Sequence, residues 1–222
     1  MLIESAAVAP FFKNGYVAAC ETTRAAVLID PGDEVADLLA HIARERLHVT
    51  RILLTHAHVD HVSGVGRAKR ALGVPIHLHR DDLFLYDQAV SHGRMFGLTV
   101  EQPPPVDVFY DGQGPLAFGD YDVFVHHTPG HCPGGVCLQI GRRGEIGKDL
   151  FVGDTLFAGS IGRTDLPGGD YDTLLRSITG VLYAFGDDAR VYSGHGANTT
   201  IGHERRTNPF LLEWDRGKAS RG

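Results

Sequence analysis

Between an apolar run, Ile52-Leu53-Leu54, and a helical apolar pattern, Val62, Val65, Ala68 and Leu72, the chain carries Thr55-His56-Ala57-His58-Val59-Asp60-His61. The run before it has the character of a buried strand, so the cluster falls where a strand ends and a helix begins. His56 and His58 are two apart, and an extended backbone points both the same way. Asp60 and His61 lie past the bend and face a second position. One short turn can therefore serve two adjacent metal ions, a use that outweighs the plainer reading of a polar loop with Asp60 as a helix cap.

The same arrangement recurs along the chain. Val123-Phe124-Val125 leads through Thr128-Pro129-Gly130 to His131, Phe151-Val152 leads to Gly153-Asp154, and Val191-Tyr192-Ser193 leads to Gly194-His195-Gly196. Glycine at such points permits tight turns and close approach of backbone to a bound centre. Strand ends meeting at one sheet edge would gather five histidines and two aspartates. One metal would take His56, His58 and His131; another Asp60, His61 and His195; Asp154 could bridge them. Imidazole and carboxylate donors suit zinc first, and also iron or manganese. Two divalent cations, two aspartates and one hydroxide leave the site near +1, which attracts an anionic substrate.

Other elements follow from periodicity. Gly15–Cys20 and Ala25–Ile29 are expected strands, closed by the turn Asp30-Pro31-Gly32. Val35, Leu38, Leu39, Ile42 and Leu47 predict a helix. Ile76–His79 is a short expected strand, with His77 and His79 as ordinary strand histidines. Asp81 and Asp82 could cap a helix carrying Leu83, Phe84, Tyr86 and Val90, and residues 80–105 form either a flap beside the site or a surface helix. Tyr121–His126, Val136–Ile140, Leu150–Val152 and Arg190–Ser193 are further expected strands. Tyr171–Phe185 and Thr199–Leu212 are expected helices.

Composition narrows the function. With 43% hydrophobic and 22% charged residues, a packed core is expected over a single domain, residues 1–222. The net charge of −6 and scattered Lys and Arg argue against nucleic acid as partner. The start, Met1-Leu2-Ile3-Glu4-Ser5-Ala6, lacks a secretion signal, and no apolar run nears the ~20 residues that span a bilayer. A cytoplasmic enzyme is the expectation, with no membrane partner; the oligomeric state is left open. Cys20, Cys132 and Cys137 lack Cys-x-x-Cys spacing and are expected as buried thiols. No Gly-x-Ser-x-Gly motif offers a serine nucleophile.

Thr-His-x-His-x-Asp-His, followed by His131, Asp154 and His195, resembles the metallo-β-lactamase superfamily. That resemblance implies an α+β fold, the four-layer αβ/βα sandwich, with two mixed sheets, helices on the outer faces and metals at one edge. Within it, Gly153-Asp154-Thr155-Leu156-Phe157, Gly162–Asp170 and Thr207-Asn208-Pro209-Phe210-Leu211 resemble short bacterial relatives of glyoxalase II, the hydroxyacylglutathione hydrolases. Only 27 residues follow His195, so the helical glutathione-binding domain of full-length glyoxalase II is not expected. The implied reaction is hydrolysis of a thioester, S-D-lactoylglutathione or a related acylthiol, by a hydroxide held between the metals. Asp60 would orient that hydroxide as well as bind metal. Arg163 falls near a basic substrate-binding position of the longer enzymes; its alternative role is an ion pair with Asp165 or Asp170. Persulfide dioxygenases are also similar, sharing a Gly-Arg-Thr-Asp segment, and would use one iron on His56, His131 and Asp154.

Overall fold

A computed structural model describes residues 1–110, 112 and 114–219; residues 111, 113 and 220–222 of the expected single domain lie outside the described residues. Two six-stranded sheets pack face to face. The first runs in the order β1 (Leu2–Ala6), β2 (Gly15–Ala19), β3 (Ala25–Ile29), β4 (His48–Leu53), β5 (Ile76–Leu78), β6 (Val108–Phe109). The second comprises β7 (Leu116–Phe118), β8 (Tyr121–His127), β9 (Val136–Arg142), β10 (Asp149–Gly153), β13 (Arg190–Ser193) and β14 (Thr199–Thr200), with β14 at one edge and β7 at the other. A small hairpin, β11 (Leu156–Phe157) and β12 (Ser160–Ile161), stands apart. Both sheets are mixed: β3 to β6 pair in parallel and β10 pairs in parallel with β13, while the other pairings are antiparallel.

The inner strands β2, β3, β9 and β10 read as largely apolar runs because both of their faces are buried. Tyr16, Ala18, Val27, Ile29 and Leu53 of the first sheet meet Val123, Val136, Leu138, Ile140 and Phe151 of the second in the central layer. The alternate residues Val17, Ala19, Ala26, Leu28 and Ile52 face outward, under Leu38 and Ile42 of α1 (Val35–Arg44) and Val65 of α3 (Val65–Leu72). Cys137, Leu150, Val152 and Val191 face the other way, under Leu174, Leu175 and Ile178 of α6 (Tyr171–Gly180). This is the expected αβ/βα sandwich.

Several element limits differ from the expectations. The helix expected after the histidine cluster is two, α2 (Val59–Val62) and α3, because Gly64 sits directly on the backbone of Gly32, and its N–H donates to Pro31 O at 3.1 Å. Leu47 lies beyond the end of α1. Residues 80–105 hold a 3-10 turn at Arg80–Asp82, then α4 (Leu83–Asp87) and α5 (Ala89–Met95). Asp82 makes no capping bond there; it is wholly buried in another role. His77 is a strand residue, whereas His79 lies past β5 and stacks on His127 at 4.2 Å. The Tyr171–Phe185 helix ends at Gly180 and resumes as a 3-10 turn, Leu182–Phe185. The last helix is broken at Asn208 into α7 (Ile201–Thr207) and α8 (Pro209–Ala219). Pro209 disfavours helical backbone in the residue before it, and Asn208 is accordingly extended. No helix among the described residues is long and apolar enough to cross a membrane.

Candidate metal centre

β3, β4, β8, β10 and β13 deliver their C-terminal ends to one rim of the sandwich. Backbone bonds hold that rim shut: Val136 N–H donates to Thr55 O at 2.8 Å, and Gly194 N–H to Gly153 O at 2.8 Å. Across the sheets, the Tyr16 hydroxyl donates to Ser193 O at 2.7 Å. The loops leaving these strands carry all seven donors expected from the sequence.

They converge as two groups. His56, His58 and His131 present donor atoms within 4.8 Å of one another, and so do Asp60, His61 and His195. In the first group His58 Nδ1 and His131 Nε2 approach to 2.8 Å, and the His56 ring stands perpendicular to His58 at 4.9 Å. In the second, His195 Nε2 is 3.1 Å from Asp60 Oδ2 and His61 Nε2 is 3.7 Å from it. Asp154 stands between them: Oδ1 is 3.3 Å from His61 Nε2, and Oδ2 is 3.7 Å from His131 Nε2 and 3.5 Å from His195 Nε2. Asp30, His56 and His61 also bring donor atoms within 4.8 Å of one another. Both Asp30 carboxylate oxygens are already engaged, however, which makes it a support.

A cation fits these groups. His56 Nε2, His58 Nε2, His61 Nε2 and Asp154 Oδ1 are buried without a hydrogen-bond partner. Such an atom costs about 1–3 kcal/mol if left so. Burial, reinforced by the neighbouring imidazoles, holds His56 well below its usual pKa, and burial holds His58 down to about 3. Both imidazoles are therefore neutral at pH 7, the form that binds a metal. Burial pulls His61 down too, but Asp154 and Asp60 outweigh it and raise His61 to about 10. Burial raises Asp154, and His61 in turn holds it far below the carboxylate range. Without metal, a proton on His61 offsets one of the two carboxylate charges beside it, so loading the site must displace it.

Three groups assigned other roles from the sequence hold the donors in place. Asp30 accepts from Thr55 N–H at 2.6 Å, from Thr55 Oγ1 at 2.5 Å and from His61 Nδ1 at 3.0 Å. His131 Nδ1 contacts the backbone oxygen of Arg163 at 2.8 Å. Such partners fix the tautomer and direction of a ligand imidazole. Asp82 accepts from Ala57 N–H at 3.0 Å, Gly134 N–H at 2.6 Å and Cys132 Sγ at 3.1 Å. It thus ties the His56–His58 turn to the His131 loop. Asp30 had a signal, since it follows the strand Ala25–Ile29 as the other donors follow theirs; Asp82 had none. Gly194 is required because a Cβ there would strike Asp154 Oδ1 and His61 Cε1.

Above the donors lies a cleft of about 370 Å³. His58, Asp60, His131, Asp154 and His195 form its floor, and Phe11, Leu85, Met95, Phe96 and Leu166 much of its wall. Residues 85–96 therefore do stand beside the site. Arg163 also lines the cleft, but its guanidinium is paired with Asp165 through two contacts of 2.7 Å. Cys20, Cys132 and Cys137 are buried free thiols, as expected.

Comparison with known proteins agrees with this architecture. The chain is 39% identical over 193 residues to the hydroxyacylglutathione hydrolase GloC of Haemophilus influenzae, covering 84% of this chain and 87% of that one. The crystal structure of the BLEG-1 B3 metallo-beta-lactamase superposes with a TM-score of 0.85 at 37% identity, over 95% of this chain and 99% of the other. TTHA1623 in a di-iron-bound form gives 0.82 at 42% identity, over 94% and 100%. The metallo-beta-lactamase superfamily model matches residues 8–195, the span from the first sheet to the last histidine of the rim. On fold and sequence together, this chain belongs to the metallo-beta-lactamase superfamily.

Proposed function

We propose that the protein is a metal-dependent hydrolase of thioesters, acting in the cytoplasm on S-D-lactoylglutathione or a related acylthiol. The observation that carries the reading is Asp154 standing between two complete donor triads at one rim. His56, His58 and His131 would hold one divalent ion, Asp60, His61 and His195 a second, with Asp154 serving both. The nitrogen and oxygen donors suit zinc, and the di-iron form of TTHA1623 makes iron the next choice. Divalent ions there supply a water of lowered pKa and a Lewis acid for the carbonyl. Asp60 lines the cleft beside His195 and would orient that water as well as bind metal. Asp30 and the Arg163 carbonyl keep His61 and His131 aimed at the floor. The similarity to GloC supports the acylthiol class, and three unpaired buried thiols suit a reducing compartment.

The test is metal content per chain, measured alongside thioester hydrolysis. Two ions per chain, turnover of S-D-lactoylglutathione and its loss in His58→Ala are expected. One iron per chain with oxygen uptake on glutathione persulfide would replace this reading with a dioxygenase.

A further inference from the structure

The cleft walls are more apolar than a glutathione site requires. Glutathione presents two carboxylates and an ammonium, which need charged partners. Arg163 is the cationic guanidinium at the wall, and it is paired with Asp165. In the same cleft, the end of α5 carries large exposed apolar side chains: Met95 is 80% exposed and Phe96 55% exposed. The Phe96 ring meets Phe11 edge-on at 5.7 Å, so the wall is closed by a segment more than eighty residues away in sequence. Exposed apolar side chains of this size beside a reaction centre cost solubility unless something covers them. Leu85 and Leu166 line the same cleft.

We infer that this wall is the specificity surface, and that it takes thioesters bearing an unbranched apolar arm of several methylenes. The arm would lie along Phe11, Met95 and Phe96 while the thioester carbonyl reaches the floor. The turnover part of this inference rests on the hydrolase reading; the binding part does not. The cleft volume, about 370 Å³, lies within the range of small-molecule sites.

The experiment has two arms. In the first, straight-chain carboxylates from acetate to octanoate are titrated calorimetrically into the metal-loaded protein. Kd is expected to fall about threefold to fourfold per methylene, the increment of burying a CH2 group. The double variant Met95→Ser, Phe96→Ser alters exposed side chains only, and an unchanged thermal transition verifies its fold. It should flatten the series to less than twofold per methylene. In the second arm, N-acetylcysteamine thioesters from acetyl to hexanoyl are compared with S-D-lactoylglutathione. kcat/KM should climb with acyl length and lose that climb in the double variant. Chain-length-independent binding, or a slope the double variant leaves intact, overturns the inference. Chain-length-dependent binding with no turnover of any thioester upholds the apolar wall and overturns the hydrolase reading instead.

Discussion

Asp82 makes a sharp test of how the donor loops are held. Its two carboxylate oxygens receive two backbone N–H groups and one thiol, all inside the protein, and the residue is fully buried. Burial raises its pKa from the usual carboxylate value, against the pull of those donors. Asp82→Asn keeps the shape but replaces one accepting oxygen by an NH2 group, which then faces another donor. At least one charge-assisted bond, worth about 1.5–3 kcal/mol, is lost, and a repulsive contact is added. A total near 3 kcal/mol would lower Tm by roughly 6–12 °C for a domain of this size. The effect should not stop at stability. Ala57 lies between His56 and His58, and Cys132 follows His131, so loosening Asp82 lets the donors of one triad drift apart. Outer partners of this kind are worth about 10- to 100-fold in metal affinity. The assay is competition for metal against a chelator, run beside thermal unfolding of the metal-free protein. An Asn variant that unfolds earlier yet binds metal as tightly as the wild type would refute the clamp and leave Asp82 a purely structural residue.

Other consequences are as direct. Lys13 and Glu34 form a buried pair at 2.6 Å; Lys13→Met strands the carboxylate, and denaturant unfolding should report a loss of about 3–5 kcal/mol. Gly194→Ala drives a methyl into Asp154 and His61, so metal bound per chain should fall at unchanged secondary structure by circular dichroism. His77 is buried in β5, and burial, aided by Arg51, lowers its pKa to about 4. Between pH 6.5 and 4 the unfolded chain binds this proton and the folded one does not, so stability falls as pH falls through that window. About 2–3 kcal/mol of acid sensitivity is expected by pH 4, and urea melts of His77→Leu should be flatter over the same range.

The strands and the donors were legible because two kinds of local pattern survive in the sequence, whereas the sandwich itself was implied by the resemblance of Thr-His-x-His-x-Asp-His to a known superfamily. Strands buried on both faces leave apolar runs, and donors placed just past strand ends leave the same signature each time. Asp154 and His195 could be grouped with His56 before any distance was known, since each follows a strand flanked by glycine. What stayed hidden depends on contacts between distant segments. Gly64 breaks a helix only because it lands on Gly32, and the hairpin Leu156–Ile161 has strands too short to show a period. Asp82 reads as a helix cap by its neighbours in sequence and becomes a clamp only when Ala57 and Gly134 arrive.

The same division separates chemistry from specificity in this fold. The donors sit at the ends of strands inside a close-packed double sheet, where any displacement disturbs the core, so the rim is fixed. The wall of the cleft comes instead from Phe11 and from α4 and α5, short elements whose outward side chains can change with little cost to the sheets. Substitutions at Met95 or Phe96 should therefore move KM among thioesters far more than they move metal affinity, and substitutions at Asp82 or Asp30 the reverse. A wall variant that lost metal, or an Asp30→Asn variant that changed chain-length preference while keeping its ions, would show that the two layers are not separable.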